Sequence, residues 1–242
     1  MLKVSKGRLT SVLSIGKEEG FTLIELMVAA ALSLVVMGGI YSVYQSQSKS
    51  YIVREQVTAM QQNLRAGMVV MTSDIRMAGY VYPGVTLTGG VNAGILEANQ
   101  NDIKFRLLKD KNNPPTSPYD PEAIKYSLLD KDGDGDPDLV KEVDDSGVTQ
   151  LVAENIDALD FVYLNSEDNP IPFPIPDQAT TTDPALIIKS IQVTMVAKTG
   201  RSDPGYKNTN SYKNQQNTEI LPAKNDGFRR RVLSREIKCR NL

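Results

Sequence analysis

The chain begins its ordered pattern with a run of apolar residues from Phe21 to Ile40, broken by a single charge, Glu25. Roughly 20 apolar residues are what a helix needs to cross a bilayer core. Further on, Val57, Met60, Leu64, Met68, Met71, Ile75 and Ala78 recur at steps of three or four. That spacing marks one apolar face of a helix that needs a surface to pack on. All 13 prolines fall at or after Pro83, so nothing covalent interrupts a helix of roughly 58 residues from Phe21 to about Ala78. Tyr41 to Tyr51, polar and rich in Ser and Gln, joins the two apolar parts and suits contacts with neighbouring subunits.

After Gly79 the period shortens to strand-like alternation between turn residues, clearest at Ile191, Val193, Met195 and Ala197. Candidate strands are 103–108, 124–128, 159–164, 187–197 and 231–239. Two stretches read as exposed loops: 169–184, which holds five prolines, and 200–217. The expected fold class is α+β, a long N-terminal helix packed through its second half on an antiparallel sheet.

Glu25 changes the reading of the first segment. A plain signal anchor or a cleaved secretory signal accounts for an apolar run, but a secretory h-region usually stops after about 7–15 residues. A charge inside a spanning helix is costly and marks a functional position by default. The segment Gly20-Phe21-Thr22-Leu23-Ile24-Glu25 resembles the type III signal of type IV prepilins and of type II secretion pseudopilins. Gln61 to Tyr80, with its NLR and DIRMAGY elements, and the ending Arg240-Asn241-Leu242 are similar to PilW-type minor pilins.

The resemblance implies a leader over 1–20, cut by a prepilin peptidase between Gly20 and Phe21, with N-methylation of the new Phe21 amine. It implies a transmembrane and filament-core half over 21–40, an amphipathic continuation over 41–78, and a periplasmic β-rich domain over 79–242. It also implies that Glu25 serves filament assembly, its carboxylate meeting a neighbouring subunit's N-terminal amine. The partners implied are other minor and major pilins, the inner membrane and the pilus assembly platform.

Lys3, Lys6, Arg8 and Lys17 precede the apolar run, which by the positive-inside rule places the N-terminus in the cytoplasm and the remainder outside. A net charge of −2 gives no reason to expect nucleic-acid binding. With one cysteine, Cys239, there is no intramolecular disulfide. The absence of His removes the commonest general base and metal ligand, and no phosphate loop or nucleophile elbow is present, so no enzymatic activity is expected.

Asp130, Asp132, Asp134, Asp136 and Asp138 alternate in the segment DKDGDGDPD, with Gly135 where a sharp turn is needed. This arrangement resembles the start of an EF-hand loop and makes Ca²⁺ a possible cofactor, although Lys141 stands where the bidentate Glu is expected. A solvated acidic turn is the other reading. At the far end Arg229, Arg230, Arg231, Arg235, Lys238 and Arg240 crowd the last candidate strand. They suit either a docking face or a charged outer strand that blocks edge pairing, its basic residues partnered by acidic ones.

The favoured function is a minor pilin that joins a priming or tip complex for type IV pilus assembly. A type II secretion pseudopilin, or a calcium-dependent pilus-tip adhesin or binding module, is the alternative. An exported enzyme on a signal anchor is a third class, disfavoured by the missing His and by Glu25.

Overall fold

A computed structural model describes residues 20–81, 94–108, 122–144, 146–178 and 180–242. The expected leader therefore lies outside the described residues, apart from Gly20. The chain divides into two compact units, Met1–Ser50 and Tyr51–Leu242, and the division falls within helix α1 (Leu23–Arg76).

In the first unit the described residues form α1 from Leu23 onward, with every side chain exposed. This helix is long and apolar enough to cross a membrane. Its start lies two residues later than expected, because Thr22 and Glu25 close a reciprocal cap. Glu25 N–H donates to Thr22 Oγ1 at 3.3 Å, and Thr22 N–H donates back to Glu25 Oε2 at 3.4 Å.

In the second unit the stripe Met60, Leu64, Met68, Met71, Ile75 and Ala78 is buried, as the periodicity requires, and Val57 packs at its edge. The helix ends at Arg76 with two tightened bonds, Met77 N–H to Asp74 O and Ala78 N–H to Ile75 O. Gly79 follows at φ +77°, in the left-handed region glycine favours.

Two main antiparallel sheets form where one was expected. The first is a meander of β1 (Gly94–Ala98), β2 (Ile103–Leu107), β3 (Glu122–Leu129), β4 (Asp138–Val143) and β5 (Thr149–Ala153), in that spatial order. The second has the order β10 (Arg230–Lys238), β7 (Ser190–Lys198), β6 (Ile156–Leu164), and a ribbon pairs β8 (Tyr212–Lys213) with β9 (Glu219–Leu221). Asn155, at φ +58°, lies in the two-residue step from β5 to β6 where the chain changes sheet. Phe105 and Tyr126 of the first sheet and Phe161, Ile191, Val193 and Met195 of the second share one core with the helix stripe. Each buried aliphatic or aromatic side chain contributes about 1.5–3 kcal/mol relative to exposure.

Strand β7 alternates as expected but is buried on both faces. Val196 joins Ala158 and Leu221 in a small second cluster against Tyr212 and Ile220. The two stretches expected to be exposed loops are partly interior. Ile171 is buried and donates its N–H to Tyr163 O at 2.8 Å, so the alternating Pro-Ile segment lies against β6. Asn208 is fully buried, donating its side-chain amide to Tyr212 Oη and Phe228 O, and β8 falls within the same stretch.

Candidate functional site

Gly20, Phe21 and Thr22 precede the first helical residue, and Phe21 is 88% exposed. The Gly20–Phe21 bond therefore lies on non-helical, exposed chain. Three residues of helix further on, Glu25 presents its carboxylate to Thr22, whose hydroxyl donates to Glu25 Oε2 at 3.3 Å. A carboxylate in the first turn also faces the positive end of the helix dipole. This capping role was missed from sequence, although the Thr22-x-x-Glu25 spacing is its signature.

A family profile described as "Prokaryotic N-terminal methylation motif" matches residues 15–41. The chain carries the amino-terminal motif of a type IV prepilin. No curated protein matches it. Among solved structures, a type IV-like pilin from Thermus thermophilus is similar, at 13% identity and a TM-score of 0.45, covering 75% of this chain and 97% of that one. The matched segment includes Gly20, Phe21 and Glu25.

The acidic segment is brought together only in part. Asp130, Asp132 and Asp138 can place one carboxylate oxygen each within 4.8 Å of one another, whereas Asp134 and Asp136 are not part of that group. Gly133 and Gly135 N–H donate to Asp130, Asp134 N–H to Asp132, and Asp136 N–H to Asp134, so the carboxylates hold the loop's own backbone. Gly133 and Gly135 supply the positive φ values the turn needs. Asp138, almost fully buried as the first residue of β4, accepts from Lys131 N–H and Asn155 N–H.

Asp136 instead pairs with Lys198, whose side chain is only 5% exposed. Lys198 also approaches Asp157 at 4.0 Å and lies over the Phe228 ring. Asp157 accepts from Arg230 Nε, and Arg230 donates both terminal nitrogens to Asp226 at 2.6 Å. An unbroken line of alternating charge thus runs from the acidic loop across β7 to the start of β10. The Arg230 guanidinium is held charged against its burial by Asp226 and Asp157, and its bonds keep the Asp226 carboxyl below the usual range. Arg229 does the same for Asp203 and stacks over Tyr206.

Lys141, the residue where a calcium loop expects its last ligand, is committed elsewhere. Its Nζ lies 2.7 Å from Asp74 Oδ2, inside the contact between α1 and β4. The Gln61–Tyr80 segment and the Arg240-Asn241-Leu242 ending also meet. Asn241 donates its side-chain amide to Arg76 O at 3.2 Å, and a Cβ on Gly79 would lie 2.6 Å from Asn241 O. The Cys239 thiol is buried, and burial pushes it up to about 12.

Proposed function

We propose that this chain is a PilW-type minor pilin. In this reading a prepilin peptidase cuts it between Gly20 and Phe21 and methylates the new terminus. The segment 21–40 holds it in the inner membrane, N-terminus cytoplasmic and C-terminal domain periplasmic. The assembly platform then passes it with other minor and major pilins into a priming or tip complex. The observation that carries the reading is the methylation motif over 15–41, with its proposed scissile bond just outside the exposed apolar first part of α1. An apolar surface of that kind is stable only against lipid or against other helices.

The test is the intact mass and N-terminal sequence of protein recovered from membranes of cells that contain a prepilin peptidase. N-methyl-phenylalanine at position 21 is the expected result; an uncut Met1 terminus would reduce the segment to a signal anchor. A type II secretion pseudopilin shares this processing, and co-purified partners distinguish the two.

A narrower second reading, calcium binding, concerns the acidic loop, because the Asp130, Asp132 and Asp138 oxygens converge. Oxygen-only ligation suits Ca²⁺, and three carboxylates without a position-12 Glu make a site of low affinity, in the range of about 10⁻⁴–10⁻³ M. Its readout is a rise in melting temperature of the full chain in detergent at millimolar Ca²⁺ that the Asp132→Asn variant loses. An unchanged melt leaves the loop as a self-bonded turn.

A further inference from the structure

The end of α1, the tail and β10 enclose a groove of about 610 Å³ that the processing motif does not involve. Its walls include Arg76, Arg235 and Arg240, together with Thr72, Met77 and Tyr80. Four of the basic residues of the C-terminal segment fall into two sets. Arg229 and Arg230 are neutralised by Asp203, Asp157 and Asp226. Arg235 and Arg240, with Arg76 opposite them, are exposed, and none of the three pairs with a carboxylate among the described residues.

Thr72 adds an independent observation. It is 4% exposed, yet its hydroxyl has no hydrogen-bond partner among the described residues. Elsewhere on the same helix Thr58, Ser50 and Ser33 bond back to the carbonyl four residues earlier. A buried hydroxyl without a partner is unfavourable, and this one belongs to a residue of the groove wall. Three guanidiniums around one cavity select an anion, and guanidinium forks favour planar carboxylates. Met77 and the 60% exposed Val69 give the groove an apolar side as well, which a free inorganic anion does not use and an amphipathic peptide does.

We infer that this groove docks an acidic, apolar-flanked segment of a partner subunit, whose Asp or Glu side chain enters between Arg76, Arg235 and Arg240. The identity of the partner as a subunit rests on the pilin reading; the capture of a carboxylate peptide does not.

The full chain in non-ionic detergent is titrated with a fluorescein-labelled peptide alternating Leu with paired Glu, read by anisotropy at low salt. The expected result is saturable binding that the double variant Arg235→Glu, Arg240→Glu weakens by about tenfold or more and that Arg231→Glu, an exposed charge outside the groove, leaves within about twofold. Equal loss in Arg231→Glu would reduce the effect to diffuse attraction. Complete displacement by millimolar inorganic phosphate would make the groove a small-anion site. Light scattering in which the double variant dissolves a dimer would make the occupant a second copy of this chain. Each of these, or no binding, overturns the inference. The N-terminal mass of the same preparation keeps the two readings apart: a processed Phe21 with no peptide binding removes only the groove, and binding by an unprocessed chain removes only the pilin assignment.

Discussion

Asp74 on α1 and Lys141 on β4 form an ion pair, Nζ to Oδ2 at 2.7 Å, with both side chains largely buried. The same Asp74 oxygen accepts from the hydroxyl of fully buried Tyr126 at 2.7 Å, so helix, β3 and β4 meet at one carboxylate. Deleting one member of such a group leaves the other charge without compensation, at a cost of about 3–5 kcal/mol. Asp74→Ala is therefore expected to destabilise the second unit by that amount, and Tyr126→Phe by about 1 kcal/mol. Burial, reinforced by Asp74, raises the Tyr126 phenol above its ordinary value of 10. A group with a raised folded-state value contributes stability below the unfolded value and loses it as pH climbs past 10. Tyr126→Phe should thus flatten the alkaline fall in melting temperature; the same alkaline slope in both proteins would contradict this role.

Acid acts through different residues. The Arg230 bonds lower the Asp226 carboxyl and the Arg229 bonds lower that of Asp203, both from 3.8. Depressed carboxyls contribute stability above the unfolded value, and that contribution disappears as pH falls below 3.8 through the lower folded values. Melting curves between pH 5 and pH 2 should show this loss, in about the window where carboxylates protonate. Arg230→Gln is expected to start from a lower melting temperature and to show a shallower acid limb. A limb as steep as the parent's would place the acid-sensitive groups elsewhere.

Gly67 faces a close approach between helix and sheets. A Cβ there would lie 3.0 Å from Ala153 Cβ and 3.1 Å from Leu139 Cδ2. Alanine gains about 1 kcal/mol of helix propensity over glycine but meets Ala153 Cβ, which is fixed to the β5 backbone. Gly67→Ala should come out near neutral or mildly destabilising, and Gly67→Leu should cost about 3 kcal/mol or more through overpacking. Chemical denaturation of the two variants checks the order; a stabilised leucine variant would mean the sheets can move aside.

How much of this was visible in the chain depends on whether a residue's role repeats. The stripe from Val57 to Ala78 and the alternation of β7 each repeat one physical requirement, so their periods locate the core face directly. Strands β4 and β5 escaped because Lys141, Glu142 and Gln150 break alternation, and Lys141 stands there for its single bond to Asp74. Asp138 was grouped with its acidic neighbours, but it is buried and holds two backbone amides. Nothing local distinguishes it from Asp134, because the difference lies in Asn155, 17 residues onward. The Thr22 and Glu25 cap was legible from spacing alone, but the cost of a charge in an apolar run drew the reading toward a partner outside the chain.

The observed cap and the proposed intersubunit ion pair of Glu25 can be separated. Glutamine at the third helical position still completes a capping box, because its amide oxygen accepts from the Thr22 N–H, but it carries no charge. Alanine removes both functions. Glu25→Ala and Glu25→Gln should both insert into membranes and both be cut after Gly20, since neither changes the apolar length or the residues flanking the bond. In the filament, a carboxylate that meets a neighbour's amine in a low-dielectric bundle loses about 3 kcal/mol or more when its charge is removed, a factor of about a hundred in association. Both variants should then fall out of the assembled complex to a similar degree, measured as the fraction of processed protein that co-purifies with pilin subunits. If Glu25→Gln assembles like the parent while Glu25→Ala does not, the residue acts through its cap on the helix start and the intersubunit ion pair is wrong.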